Sequence, residues 1–119
     1  MAFGIETIPH HNGYPCFSQS EMDRRHGWVM DQIEERGLGA VLVGGVTGPL
    51  ETSVQYFSNW PPQVTSYLVF LPAEEPRLSV RLWNHLPDAE RISMISDVSY
   101  GGDTPGAQVE KVAGLLGDR

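Results

Sequence analysis

The stretch Ser18-Gln19-Ser20-Glu21, followed by Met22, His26, Val29, Met30 and Ile33 and closing on Gly37-Leu38-Gly39-Ala40-Val41-Leu42-Val43, decides the fold class. Ser18 followed by Glu21 is a capping-box pattern. The Ser hydroxyl takes an amide proton three residues on, and the Glu side chain reaches back. The apolar residues recur at three- and four-residue steps and so form one stripe of a helix. Asp23, Arg24, Asp31, Glu34 and Glu35 fall mostly on the other side. Gly37 stands where a left-handed C-terminal cap is wanted. The spacing therefore predicts a helix over Gln19 to Arg36. The unbroken apolar run Leu38 to Val43 directly after it predicts an inner strand, covered by helices on both faces. A helix feeding a buried strand places the chain in the α/β class.

The rest of the chain fits that class. Before the helix, residues 1–17 show no periodicity, carry His10, His11, Asn12, Gly13 and Pro15, and read as an irregular arm. After the strand, Gly44-Gly45-Val46-Thr47-Gly48-Pro49 breaks the pattern, and Leu50, Val54 and Phe57 stand at helical spacing. Asn59-Trp60-Pro61-Pro62 is a loop, because consecutive prolines remove amide donors and restrict the residues before them. Val64 to Leu71 is rich in β-branched and aromatic residues and reads as a strand. Arg77 to Trp83 alternates, with Leu78, Val80 and Leu82 on one face and Arg77, Ser79, Arg81 and Trp83 on the other. The two strands, joined by the turn Pro72 to Pro76, form a hairpin. Pro87 to Arg91 is compatible with a helical turn, Ile92 to Val98 with a weak strand. Gly101 to Gly106 is a loop, and Val109, Val112, Ala113 and Leu116 mark a last helix over Ala107 to Leu116. The expected architecture is one domain, residues 18–119, with helices packed on a mixed sheet.

Composition narrows the function classes. The chain has 119 residues, 40 % of them apolar and 19 % charged, which suits one folded domain. Acidic residues number 15 and basic residues 8, a net charge of −7. That balance disfavours nucleic-acid binding by charge. Lys111 is the one lysine, so there is no polybasic patch for anionic lipid. No run of about 18 apolar residues exists to span a membrane. Met1 to Tyr14 lacks the basic start and apolar stretch of a secretory signal. One cysteine, Cys16, cannot form an internal disulfide, and a cytoplasmic location is the expectation.

Candidates for chemistry are sparse. His10-His11 is the densest metal-ligand pair, but a metal usually needs three or four ligands in fixed geometry, and no carboxylate lies within the next nine residues. An ordinary polar arm is the plainer reading. Cys16 has no local His or orienting acid and reads as an idle thiol. Gly44-Gly45-Val46-Thr47-Gly48 lies between a strand and a helix, the context of a phosphate loop, yet it lacks the G-x-G-x-x-G spacing and the P-loop lysine. It reads as a strand-to-helix turn. Glu34-Glu35 and Glu74-Glu75 read as solvated surface rather than opposed catalytic carboxylates. Aromatic residues are the more suggestive group. Tyr56, Phe57 and Trp60 flank the Pro61-Pro62 loop, and Trp83, Asn84 and His85 close the second hairpin strand. Large aromatics in loops are enriched at interfaces and ligand sites.

The run Phe17-Ser18-Gln19-Ser20-Glu21-Met22-Asp23-Arg24-Arg25, then Ile33-Glu34-Glu35-Arg36-Gly37-Leu38-Gly39-Ala40-Val41-Leu42-Val43, resembles the opening of the N-terminal domain of the creatinase/Xaa-Pro peptidase family, which includes aminopeptidase P and prolidase. Val54-Gln55-Tyr56-Phe57-Ser58-Asn59 stands at that family's next motif, and the hairpin from Tyr67 to Val80 is similar to its next two strands. The resemblance runs from about Phe17 to Arg119. It implies a mixed sheet of ribonuclease-H-like topology. It also implies that a catalytic pita-bread domain, about 200 further residues, lies outside this chain. That domain typically holds two divalent ions (manganese, cobalt or zinc) on two Asp, one His and two Glu, and hydrolyses Xaa-Pro bonds or creatine-like amidines.

The resemblance implies a non-catalytic domain with no catalytic and no metal residue of its own. Such a domain helps build a homodimer of the parent and walls the mouth of the active site. Tyr56, Trp60, Trp83 and His85 are the residues expected to face a small peptide or amidine substrate. The expected partners are the parent's own C-terminal catalytic domain and a second copy, with neither nucleic acid nor membrane among them. A second possibility is a protein-binding module from a catalytically inactive pita-bread relative. The acidic charge permits a basic partner for it.

Overall fold

The computed structural model describes residues 8–45, 52–62 and 64–117. The element order is β1 (His10–His11), β2 (Tyr14–Pro15), α1 (Gln19–Arg36), β3 (Val41–Gly45), α2 (Ser53–Ser58), β4 (Ser66–Phe70), β5 (Arg77–Val80), a 3-10 turn (Trp83–His85), α3 (Leu86–Ile92), β6 (Asp97–Tyr100) and α4 (Pro105–Leu116). The main sheet has the order β3-β4-β5-β6. β3 and β5 both run antiparallel to β4, in registers fixed by Val41 opposite Phe70 and by Leu68 opposite Leu78. β6 runs parallel to β5, with Leu78 opposite Val98. A parallel pair needs a crossover rather than a tight turn, and the 3-10 turn and α3 supply it. The mixed sheet with packed helices is the α/β architecture expected from the sequence.

α1 has the expected boundaries, and its ends show why. The Ser18 Oγ accepts from the Glu21 amide at 3.2 Å, and Gly37 takes φ 62°. The Gly37 and Leu38 amides donate to the Glu34 and Ile33 carbonyls, which satisfies the last turn. Only half of the capping box forms. The Glu21 carboxylate turns to Arg24 and Arg25, which donate to it at 2.6 and 3.0 Å. Two charge-assisted bonds outcompete one backbone amide.

The sheet is covered on both faces, unequally. One face carries Leu68, Phe70, Leu78 and Val80 against Val29 and Ile33 of α1, Val54 of α2, and Ala89 and Ile92 of α3. The other face carries Val69 and Leu71, with Val112, Leu115 and Leu116 of α4 packed on them. Alternation along β5 places Ser79 beside Arg77, away from Leu78 and Val80, yet Ser79 is fully buried. α4 lies across that face, so alternation identifies the side of the strand but not what covers it.

Further expectations are corrected. β3 is not an inner strand. It is an edge of the four-stranded order, and Leu42 on it is 48 % exposed. Gly44 and Gly45 belong to this strand rather than to a turn; residues 46–51 lie outside the described part. A Cβ on Gly45 would come within 2.7 Å of Val54 Cγ2, so that glycine lets α2 approach the sheet closely. β5 ends at Val80, so Trp83 stands on a 3-10 turn and not on a strand. Ile92 closes α3, and the following strand is Asp97–Tyr100 instead of Ile92 to Val98. There the Met94 amide is drawn off to the Ser58 carbonyl at 2.7 Å. Finally, residues 10–15 are not irregular. Asn12 (φ 52°) and Gly13 (φ 78°) make the two-residue turn of a small hairpin. Asn12 Nδ2 donates to the Arg91 carbonyl and Asn59 Nδ2 to the Pro15 carbonyl, both at 3.2 Å, tying the hairpin to the ends of α3 and α2.

Candidate functional site

The parallel pair decides where a site can form. The connection after β5 leads to α3 on one face of the sheet, and the chain after β6 leads to α4 on the other. Where successive connections leave a sheet on opposite sides, their loops part and leave a crevice outside the carboxyl ends of the strands, the usual ligand position in open α/β sheets. Here the two loops are residues 81–85 and 101–104.

Trp83 and Tyr100 meet across this point, edge to face, with ring centroids 5.3 Å apart. Trp83 is 66 % exposed, the most exposed large apolar side chain of the described residues. Arg81 Nε donates to the Asp103 carbonyl at 3.0 Å and joins the two loops. A hydrogen bond to the Asp103 carboxylate, with burial and its negative charge behind it, raises the Tyr100 phenol above its ordinary value, so the phenol stays protonated. Below this rim the backbone is tight. A Cβ on Gly101 would meet Ser79 Oγ and Gln108 Oε1, and one on Gly102, at φ 103°, would meet Ala107 Cβ. Ser79 Oγ and Gln108 Oε1 are buried without a hydrogen-bond partner.

The four expected site residues do not form one group. Trp83 and His85 share the 3-10 turn, and Trp60 lies beside His85 with centroids 6.2 Å apart. Trp60, however, is a core residue, 5 % exposed and packed with Val54 and Leu68; its Nε1 has no partner. It supports the rim from beneath. Tyr56 lies elsewhere, on α2 against α1. Its ring stacks with the Arg25 guanidinium, which also covers the Phe17 ring, each 3.9 Å away. With Arg24, Trp28 and Phe57 it lines a groove of about 480 Å³. Both guanidiniums of that groove are already held by Glu21, whose carboxylate is lowered from its ordinary 4.5 to about 2 by the bonds from Arg24 and then Arg25.

Three residues escape sequence reasoning. Tyr100 and Asp103 sit on a short polar strand and a glycine loop, where no periodicity marks them. Trp28 does carry a signal. At 100° per residue it lies about 140° from the centre of the α1 stripe, a large aromatic on a polar helix face, and it is 56 % exposed.

Metal chemistry finds no donor set here. His10 is exposed, His11 half-buried and 3.4 Å from Asn12 Nδ2, and among the described residues no three His, Cys, Asp or Glu side chains gather. Among the described residues no helix is long and apolar enough to cross a membrane. In comparison with known proteins, no family model and no curated protein matches the chain.

Proposed function

We propose that this chain is a non-catalytic partner domain, the N-terminal oligomerising and substrate-gating part of a creatinase/Xaa-Pro-peptidase-like metallohydrolase. In this reading the two metal ions and the reacting carboxylates belong to a separate catalytic domain, and the substrate is a small peptide or amidine. The observation that carries the reading is the rim at the carboxyl ends of β5 and β6. It offers an exposed Trp83, a protonated Tyr100 and the half-buried His85 as a recognition surface. Such a wall selects substrates by covering a cleft and excluding water, without taking part in bond breaking. The order of the resembling segments along α1, β3, α2, β4 and β5 supports the family assignment. The finer ribonuclease-H-like topology belongs to the same reading. A cytoplasmic location is part of the proposal as well.

The decisive experiment is made on the protein as its gene encodes it. Trp83→Ala there is expected to lower kcat/KM for Xaa-Pro peptides about tenfold through KM, with kcat nearly unchanged, as for loss of binding that ground and transition states share. The 119-residue chain itself is expected to hydrolyse none, with or without manganese or cobalt. Turnover by the pure chain, or identical kcat/KM in the variant, overturns the proposal. The net charge of −7 favours a second reading, a module that binds a basic protein. Salt-sensitive binding of basic peptides without any hydrolase activity in the parent would establish it.

A further inference from the structure

The two edges of the main sheet are β3 and β6, and among the described residues the outer side of β3 is bare. Its sequence, Val41-Leu42-Val43-Gly44-Gly45, has no charge and no proline. Among the described residues no strand pairs with its outer side. Proteins ordinarily blunt such an edge with lysine, proline, a bulge or a covering element, because its open amides and carbonyls template another strand. Here the surroundings add to the exposure. On one face Val41 and Val43 line a groove of about 240 Å³ with Trp28, Leu38 and Phe57. On the other face Leu42 lines a groove of about 250 Å³ with Tyr67, Val109 and Leu116. Trp28, Leu38, Leu42 and Val109 are four of the seven exposed large apolar side chains of the described residues. Both grooves therefore border the same open strand.

We infer that β3 pairs antiparallel with β3 of a second copy, joining two four-stranded sheets into one of eight strands. This deepens the oligomerising role proposed above and rests on it. Charge argues for this occupant. Each copy carries −7, so self-association needs a contact free of like charge. Among the described residues no acidic side chain lines either groove, and Arg36 is the one charged residue there. Symmetry argues the same way. A two-fold axis normal to the sheet sets each face of one copy beside the same face of the other, so an isologous contact covers the Trp28 groove and the Val109 groove together. A single extended peptide supplies the backbone bonds but leaves both apolar walls largely exposed.

The test is light scattering on the 119-residue chain across a concentration series, with hydrogen exchange of the β3 amides at the two ends of that series. The expected result is a species of twice the 13.2 kDa chain mass, with Val41–Gly45 amides that lose protection on dilution. Leu42→Lys is expected to raise the dimer dissociation constant by about tenfold or more. Val109→Glu, on α4 and 64 % exposed, should do the same and serves as the check if Leu42→Lys fails to fold. A monomer at every concentration overturns the inference and leaves the edge to a different partner. Protection that ignores concentration also overturns it, because the edge is then covered from within the chain. A dimer untouched by both variants places the interface elsewhere and overturns it too. None of these outcomes depends on catalysis by the parent, so this inference and the hydrolase reading fail separately.

Discussion

β3 and β6 close the same sheet on opposite sides, and they are built on opposite principles. β6 is four residues long and carries Asp97, which pairs with Arg77 of β5 at 3.5 Å. It continues into a loop locked from below by Ser79 and Gln108 and tied by Arg81. β3 is five residues long, uncharged and flanked by apolar side chains on both faces. A charged, short edge resists a new strand, whereas a bare one invites it. On the readings proposed above, the contrast separates two tasks, with recognition at the β6 end and assembly at the β3 edge.

The largest expected effect strikes the locked side. Gly101→Ala puts a methyl against Ser79 Oγ and Gln108 Oε1, with an expected loss of about 1–3 kcal/mol as for an overpacked core. Gly44→Ala on the bare strand meets only the Tyr67 ring at 3.4 Å, ordinary contact, so a change within about 0.5 kcal/mol is expected. Denaturant unfolding of the two variants side by side measures the asymmetry, and equal losses would erase it. Next in size is Asp97→Val, which strips β6 of its charge. The exposed ion pair contributes only about 0.2–1 kcal/mol, so folding should be little affected. Association in light scattering should nonetheless rise with concentration beyond that of the parent chain, because both edges are then bare.

Local and distant causes differ in how far the sequence betrays them. α1 is readable to the residue, since Ser18 and Gly37 act on amides and carbonyls a few positions away. The β4–β5 hairpin is readable from two β-rich runs and a short turn. Trp60 is not. Nothing local distinguishes a loop tryptophan that faces solvent from one buried in the core cluster that also holds Leu68 and Val54. The burial of Ser79 and the edge position of β3 are equally hidden, because each depends on where a distant element comes to rest.

The smallest effect concerns the first turn of α1. Glu21 falls from its ordinary 4.5 to about 2 because Arg24 and Arg25 bond its charged form. A carboxylate lowered on folding adds stability above its unfolded value and loses it as pH falls through the folded one. Glu21→Gln is therefore expected to melt slightly below the parent chain above pH 4.5, with the gap closing toward pH 2. A gap that persists at the acid end would show that packing, rather than charge, sets the effect.

By itself the sequence determined the α/β class, the ends of the long helix and the hairpin. Each of these rests on periodicity, on caps reaching a few residues along the chain, or on composition. Only the tertiary structure decided which strand stands open, which tryptophan is exposed and which serine is sealed. Those outcomes come from the covering of one element by another. α4 packs on Val69 and Leu71 while, among the described residues, no strand pairs with the outer side of β3, and no stretch of β3 itself encodes either outcome.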